Sequence, residues 1–324
     1  MAVSLILSAA LMAGLPAIQT PQTPVRQDAG ASRLEEVVVE GARTREAAEA
    51  FVQSVAEPIP GRKLARWRGS VCVGVGGLQP DAGRFMVDRV SDWAASVGLA
   101  IGPPGCEPQI FIVATADGDA TARALVASRP RDFDTGASQA DRGRAALAAF
   151  QNSGRLIRWW HVSLPVHGNT GVPIVRMPGQ SSIEAPDEVN MTRPSDFGAS
   201  VNTVSASRLT DESEDHLMQA IIVLDMAALD EASFLQITDY IAMVALAQVA
   251  PDADPPSPSI LRLFSPDEVQ EETLTRWDQA YLRALYRTSQ LGSGTGSNLR
   301  AIAGGVARDI ERQEPGPAEP EASD

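Results

Sequence analysis

Two spacings of apolar residues alternate in the first half of the chain. Val71, Val73 and Val75 occupy every second position, and residues 109–114 form a short apolar run, so both segments are predicted to be strands. Between the strands an apolar residue recurs every three or four positions, which predicts a helix, at Met86, Val90, Trp93 and Val97. This order is that of a βαβ unit, and its crossover is right-handed if the two strands are parallel neighbours.

The same two patterns continue towards the carboxyl end. Helices are predicted at residues 120–127 and 141–150, and strands at residues 156–166, 201–209 and 217–226. Residues 165–200 are rich in Pro, Gly, Ser and Asn and show no sustained period. They are therefore predicted to form a long surface excursion, and excursions of this length often carry function.

A strongly apolar segment decides the predicted fold class. Residues 231–249 are apolar almost all round, which predicts a buried helix with Asp230 as its N-cap. The following segment, residues 259–264, is predicted to be extended, and Thr275 with Asp278 approximates the capping box of another helix. The sequence thus predicts an α/β (α+β) fold in which a mixed sheet packs on the buried helix.

The ends of the chain differ in composition from its middle. Residues 1–17 are a short apolar run, predicted to be a signal peptide, with an uncleaved anchor as the alternative because no Lys or Arg precedes the run. Residues 18–34 are predicted to be a disordered spacer and residues 311–324 a disordered tail. A single domain is predicted over residues 35–310, beginning with a strand at residues 37–39 and a helix from about Thr44.

Charge and cysteine content narrow the function classes. The formal net charge of -14 argues against binding to nucleic acid, because a protein that binds phosphates neutralises them with clustered Lys and Arg. Cys72 and Cys106 are the two cysteines, and in an exported chain an even number predicts a disulfide bond, with two buried thiols as the alternative. Two cysteines alone do not make a zinc site.

Two glycine-rich segments are weak candidates for phosphate binding. Residues 74–77, GVGG, lie between a strand and a helix, but Asp81 places a negative charge at the helix N-terminus, so a simple tight turn is preferred. Residues 292–298, GSGTGSN, lack the Lys of a P-loop and are predicted to be a flexible joint before the last helix. No cofactor is therefore expected.

A third motif lies near the start of the predicted domain. Residues 35–41, EEVVVEG, resemble the short motif with which outer-membrane receptors engage an energy-coupling protein. Those receptors also contain long series of alternating strands, a pattern that this sequence does not show. An ordinary first strand is the preferred interpretation, and an accessory role beside such a receptor is an alternative.

Candidates for catalysis or metal binding are few. The three histidines are His161, His167 and His216, and distant segments would have to converge for them to hold a metal ion. Asp225, Asp230 and Asp239 surround the start of the buried helix and could form an acid/base pair, although a cap at Asp230 and solvent exposure of the other two is the preferred interpretation.

The carboxyl-terminal third resembles the zincin metalloproteases. Metzincins follow their zinc helix with a Ser-Ile-Met turn and then a helix reading Leu-Thr, an acidic residue and Leu-Tyr, and the matching positions are Ser259, Ile260, Leu274, Thr275, Asp278, Leu285 and Tyr286. The whole chain also resembles a group of uncharacterised exported bacterial proteins with similar endings. The resemblance implies a zincin-like topology for the sheet and the buried helix.

The resemblance breaks at the catalytic residues. The family's HExxHxxGxxH helix holds zinc through three histidines while its glutamate activates water. The first ligand position corresponds to Tyr240, and the later positions carry Ile241, Val244, Ala247 and Ala250, while Leu261 replaces the methionine of the turn. The resemblance therefore implies a degenerate scaffold without zinc.

The function expected from these observations is non-catalytic. The chain is predicted to be a periplasmic or secreted envelope protein that binds another protein or a peptide through a degenerate protease-like cleft. No residue is singled out as catalytic, cofactor-binding or metal-binding, and a membrane contact is expected only if the N-terminal segment stays uncleaved. The alternative is a periplasmic hydrolase that uses His161 and His167 with a carboxylate such as Asp225.

Overall fold

The computed structural model describes residues 29–134, 140–174, 213–228, 232–265, 271–292 and 294–313. Its helices are α1 (Ala29–Val55), α2 (Pro80–Ser96), α3 (Gly118–Ser128), α4 (Pro130–Phe133), α5 (Gly143–Asn152), α6 (Phe234–Leu246), α7 (Arg276–Arg287) and α8 (Thr295–Gln313). Its strands are β1 (Ser70–Val71), β2 (Val73–Gly76), β3 (Ala100–Ile101), β4 (Ile110–Thr115), β5 (Ile157–His167) and β6 (Ser213–Asp225).

The main sheet has the strand order β2, β4, β6, β5. β2, β4 and β6 are parallel, with Val73 opposite Ile110 and Ile110 opposite Ala220, whereas β5 runs antiparallel to β6 at one edge. β2, α2 and β4 form the predicted βαβ unit with its strands as parallel neighbours, and β1 and β3 make a separate parallel pair. The predicted class, a mixed α/β sheet with helices packed on it, is confirmed.

Helix α6 lies in the largest core cluster. Every residue from Gln236 to Leu246 is buried, as the apolar character of this segment on all sides requires. Its neighbours in this cluster include the inner faces of α2 and α7, through Met86, Val90 and Tyr281. On the opposite face of the sheet α3, α4 and α5 cover a smaller aromatic cluster. The aromatic members of that cluster are Phe133, Phe150 and Trp160.

The two adjacent tryptophans of β5 point to these two different cores. Successive side chains of a strand alternate between its faces. Trp159 packs edge-on against Tyr240 of α6, and Trp160 packs against Phe133 and Phe150 on the other side. β5 is therefore apolar on both faces although it is an edge strand.

The disulfide bond between Cys72 and Cys106 is confirmed. Cys72 lies between β1 and β2, and Cys106 lies in the loop that follows β3. The bond closes a loop with a sequence separation of 34 residues around α2. The alternative of two buried thiols is excluded. The expectation that the two cysteines hold no zinc stays a prediction.

Three local predictions are wrong. Residues 37–39 belong to α1 and not to a strand, because the helical pattern of the following residues extends back through them. The N-cap of α6 is Ser233 and not Asp230, since Ser233 and Gln236 form a reciprocal capping box. Residues 259–264, predicted to be extended, contain a 3₁₀ turn at Ile260–Arg262 that Ser259 caps.

Of the remaining predictions for the carboxyl-terminal half, one is confirmed, one is partly wrong and one lies outside the described residues. The capping box of α7 between Thr275 and Asp278 is confirmed. The predicted joint at residues 292–298 is partly helical, because α8 begins at Thr295. The predicted strand at residues 201–209 and most of the excursion at residues 165–200 lie outside the described residues, apart from the end of β5 and the turn up to Ile174.

The chain divides into two compact units, Met1–Val39 and Glu40–Asp324. The described part of the first unit is the beginning of α1, and the second unit contains the other elements. α1 begins at Ala29, inside the predicted spacer, and α8 continues to Gln313, past the predicted domain end at residue 310. The signal peptide lies outside the described residues. None of the helices in the described ranges is both long and apolar enough to cross a bilayer.

Candidate functional site

In the described part of the chain, one half of the outer edge of β5 has no main-chain partner. The amide of Asp225 donates to the carbonyl of Leu156 at 2.8 Å, so alternate residues from position 156 onward face β6. The main-chain groups of Ile157, Trp159 and His161 therefore point away from the sheet. Within the described residues no hydrogen bond reaches these outward N–H and C=O groups.

The other half of the same edge is covered. The amide of Ser163 donates to the carbonyl of Ala140 at 2.9 Å, and Arg62 Nη1 donates to the Ser163 carbonyl at 2.9 Å. Further along, the amide of Ile174 donates to the Pro165 carbonyl at 2.9 Å. The open part of β5 is thus limited to residues 157–161.

A groove follows this open edge, and we call it the β5 groove. It encloses about 310 Å³, a volume typical of small ligand pockets. One wall is α5 with the residues beside it, and the other wall is the segment after α6. The lining residues are Glu57, Arg142, Ala146, Ala149, Phe150, Ser153, Arg155, Arg158, Trp159, Trp160, His161, Gln248, Val249, Pro251 and Asp252.

A second depression of about 500 Å³ adjoins the β5 groove. The two share Arg155, Pro251 and Asp252, and the second is lined further by Tyr240 and Phe264, whose rings are 5.4 Å apart. Both depressions therefore border the residues just before β5 and the segment after α6.

His161 lies on the open edge with one ring nitrogen engaged. Its Nε2 is 2.8 Å from the main-chain carbonyl of Val244, so Nε2 carries the proton and donates it. Burial lowers the pKa of His161 to about 4, against the hydrogen bond to Val244, and the charge of Arg142 lowers it further. The imidazole is therefore neutral at pH 7, and Nδ1 is an acceptor.

Two arginines join the walls of the groove. Arg142, which precedes α5, pairs with Glu57 on the opposite wall, and Arg155 donates to the Pro251 carbonyl. The main-chain amide of Glu57 donates to the Gln248 carbonyl at 3.0 Å, which fixes Glu57 to the segment after α6. Glu57 Oε2 is buried and has no hydrogen-bond partner in the described part of the chain.

Arg158 is a third arginine of the groove and is buried. It pairs with Asp119 and donates to the carbonyls of Arg155, at 2.8 Å, and Phe150, at 3.3 Å. Its Nε is buried without a partner among the described residues. A buried polar atom without a partner costs about 1–3 kcal/mol.

The residues of the predicted hydrolase do not come together. His161 and His167 lie on one strand six positions apart, which corresponds to about 20 Å. Asp225 ends β6, where its carboxylate accepts from the amides of Gly118 and Ala227. His216 is bonded to Glu214 at 3.0 Å and is opposite Leu164 in the sheet. In the described residues, Asp225 does not bring any two of the histidines together.

The predicted acid/base pair among Asp225, Asp230 and Asp239 is not formed in the described residues. Asp230 lies outside them, and Asp239 is fully buried, so its predicted exposure to solvent is wrong. Asp239 accepts from Arg89 at 2.7 and 2.8 Å and from Trp93 at 2.8 Å. Burial alone would raise the pKa of Asp239, but the hydrogen bonds from Arg89, Thr273 and Trp93 outweigh it and lower the pKa.

Four of the seven positions that carried the zincin resemblance meet in one network. Asp278 is buried, accepts from Ser259 Oγ at 2.5 Å and from the amide of Ile260 at 2.8 Å, and caps α7 with Thr275. Burial raises the pKa of Asp278 to about 6, against the hydrogen bonds from Ser259, Ile260 and Thr275. This network fixes the turn after α6 to the start of α7.

The positions that replace the zinc ligands do not form a polar site. Tyr240 lines the second depression, and Val244 is fully buried with its carbonyl bound to His161. α6 ends at Leu246, so Ala250 lies in the segment beyond it. In the described ranges no group of three or more His, Cys, Asp or Glu side chains is arranged to hold a metal ion.

The glycine-rich segments have structural roles. Gly77 has a φ of 84°, and a Cβ at this position would lie 2.0 Å from the carbonyl oxygen of Ala114. Only glycine fits such a turn between β2 and α2. At the other segment the hydroxyl of Thr295 donates to the Arg62 carbonyl at 2.8 Å as α8 begins.

Sequence reasoning missed most of the groove. Glu57, Arg142, Arg155 and Gln248 come from four segments, and no spacing in the sequence connects them. The pair Trp159 and Trp160 with His161 was visible as an unusual strand, and three of its neighbours in the groove are arginines in a chain with a net charge of -14. That local reversal of charge is the signal that could have located the site.

Comparisons with protein-family models, with curated protein sequences and with solved structures found no significant match for this chain.

Proposed function

We propose that this protein is an exported, non-catalytic binding protein that holds an extended peptide segment of a partner envelope protein in the β5 groove. The observation that carries the proposal is the open edge at residues 157–161, which lies inside a groove. A peptide that pairs with this edge adds a strand to the sheet, which is a recurring mode of peptide recognition.

The open edge supplies the affinity of the proposed complex. Ile157, Trp159 and His161 each offer an outward N–H and an outward C=O, so a peptide forms up to about six main-chain hydrogen bonds there. Each such bond contributes about 0.5–1.5 kcal/mol net. Side chains of the peptide contact Phe150 on one wall and Val249 on the other.

The open edge and the groove around it set the length of the peptide. The open edge spans residues 157–161, and the adjoining depression begins at Arg155, Pro251 and Asp252, which it shares with the β5 groove. A heptapeptide in strand conformation is about 23 Å long. Free edges are normally protected in native proteins, and an open stretch beside a groove is a reason to expect a ligand strand.

The proposed location follows from the disulfide and the first residues. A disulfide bond persists in oxidising compartments such as the periplasm or the extracellular space. The apolar run at residues 1–17 has the outline of a secretory signal. The resemblance to zincins fits the proposal, because an empty protease-like cleft beside a sheet edge still accepts an extended strand.

The first test is selection of heptapeptides from a random phage library on the purified protein, followed by fluorescence anisotropy with the selected peptide. Ala149 lines the groove and Ala148 does not, and both are exposed on α5, so they give a matched pair of variants. Ala149→Trp fills the groove and is expected to weaken binding at least about 10-fold, whereas Ala148→Trp changes it less than about 2-fold. Equal binding by both variants would place the peptide elsewhere.

The second test examines the strand pairing from the side of the peptide. In an added strand, alternate residues turn their N–H groups to the sheet. N-methylation of one alternate set in the selected peptide is expected to abolish binding, and N-methylation of the other set to leave it nearly unchanged. Equal loss from both sets, or no loss from either, contradicts strand addition.

A further inference from the structure

The charge of the β5 groove is opposite to that of the chain. The chain has a formal net charge of -14, yet three arginines line the groove, Arg142, Arg155 and Arg158, against the carboxylates of Glu57 and Asp252. Arg158 is already paired with Asp119 and Arg155 with a carbonyl oxygen. Arg142 is thus the arginine whose carboxylate partner, Glu57, also lines the groove.

Glu57 pairs with Arg142 through only one of its two carboxylate oxygens. Oε1 makes the ion pair, while Oε2 is buried without a hydrogen-bond partner in the described part of the chain. The buried Oε2 atom carries a desolvation cost because no hydrogen bond replaces its contact with water. That cost disappears when the carboxylate turns towards solvent. Its side chain is 27% exposed, so a path to solvent exists.

The pair of Glu57 and Arg142 also joins the two walls. Glu57 is attached to the α6 side through its amide and Gln248, and Arg142 stands before α5. A strand that enters between the walls reaches this pair. A neutral peptide that displaced Glu57 would leave Arg142 without its ion-pair partner, with only the more distant charge of Asp252, in a groove that contains two further guanidinium groups.

We infer that the peptide bound in the β5 groove carries an acidic side chain, and that its carboxylate replaces Glu57 on Arg142. This inference rests on the proposed function and specifies its ligand. Glu57 is then a resident competitor, released when an acidic peptide binds. Bidentate pairing of a guanidinium with a carboxylate gives the acidic peptide both orientation and affinity.

The test uses a scanning heptapeptide library in which one position at a time is fixed as Glu, Gln or Lys. Glu at one position is expected to bind about 10-fold more tightly than Gln at the same position, and Lys more weakly than Gln. The advantage of Glu decreases with added salt. Equal binding of the Glu and Gln peptides overturns the inference while leaving the proposed function intact; binding of neither would refute the proposed function itself.

Variants of the two groove residues test the exchange. Arg142→Gln is expected to reduce the preference for Glu over Gln to about 1, while Arg144→Gln, an exposed arginine outside the groove lining, leaves the preference unchanged. Glu57→Gln removes the competitor and is expected to tighten binding of the Glu peptide at least about 3-fold. A Glu57→Gln variant that binds the Glu peptide more weakly than the parent protein contradicts the inference.

Discussion

His161 shows how a single residue depends on its surroundings in this fold. The ring lies on the open stretch of β5 and donates from Nε2 to the carbonyl of Val244. Burial keeps its pKa near 4, well below the ordinary value of 6.5. The side chain is thus a neutral, oriented part of the groove wall, and its Nδ1 is an acceptor.

The low pKa of His161 predicts a pH dependence. The unfolded chain binds the proton near pH 6.5 and the folded chain only near pH 4, so the free energy of unfolding falls as the pH drops through this window. His161→Gln, which keeps a donor for Val244, is expected to lose less stability over the same window. Urea unfolding of both proteins at pH 7, 6, 5 and 4.5 measures the difference.

NMR titration of the histidine rings provides the direct check on that prediction. The His161 ring is expected to stay neutral, with its proton on Nε2, from pH 8 to about pH 5. A His161 resonance that titrates near pH 6.5 would contradict the placement of this side chain.

At the scale of elements, Asp239 attaches three segments to one another. Its carboxylate on α6 binds Arg89 and Trp93 of α2, and also Thr273 and Leu274 ahead of α7. Arg89 additionally lies over the ring of Trp93, with its guanidinium carbon 5.1 Å from the centroid. The relative placement of α2 and α6 thus depends on an ion pair at the edge of the core, with a fully buried carboxylate and a partly exposed guanidinium.

Breaking this ion pair is expected to cost much of the stability of the fold. Asp239→Asn leaves Arg89 without its counter-charge, and the free energy of unfolding is expected to fall by about 2–4 kcal/mol. Asp81→Asn is the matched control, because it breaks an ion pair with Arg84 in which the side chains of Arg84 and Asp81 are 75% and 91% exposed. Its free energy of unfolding is expected to change by less than about 0.5 kcal/mol. Chemical denaturation measures both, and equal effects would refute the structural role of Asp239.

The elements also show which sequence signals are sufficient. The periodic positions Met86 and Val90 predicted α2, and Thr275 with Asp278 predicted the start of α7, because both signals are local. Residues 37–39 were predicted as a strand because Val is β-branched, yet they continue the helix of the residues that follow. The buried helix at residues 231–249 was predicted correctly as an element, while its cap was assigned three residues too early.

At the scale of the whole molecule, the groove is a product of topology. The antiparallel entry of β5 beside β6 creates the sheet edge, and α5 with the segment after α6 encloses part of it. Glu57 and Arg142 are 85 positions apart in the sequence, so their pairing follows from the fold and not from a motif. The sequence could predict the fold class and the disulfide, but not the site.

The disulfide bond is predicted to stabilise the whole second unit. For a loop with a separation of 34 residues, the loss of loop entropy in the unfolded chain corresponds to about 4 kcal/mol. The double variant Cys72→Ala and Cys106→Ala is expected to lose about that amount in urea unfolding, and the parent protein under reducing conditions to lose a similar amount. An unchanged free energy of unfolding would contradict this account.

The central claim is that a peptide adds a strand to the open edge of β5, and residue-resolved amide hydrogen exchange by NMR tests it most directly. In the free protein the amides of Ile157, Trp159 and His161 are expected to exchange faster than those of Arg158, Trp160 and Val162, which face β6. Addition of the selected heptapeptide is expected to slow the first set and to leave the second unchanged. Protection of neither set, or of both sets alike, would contradict strand addition at this edge.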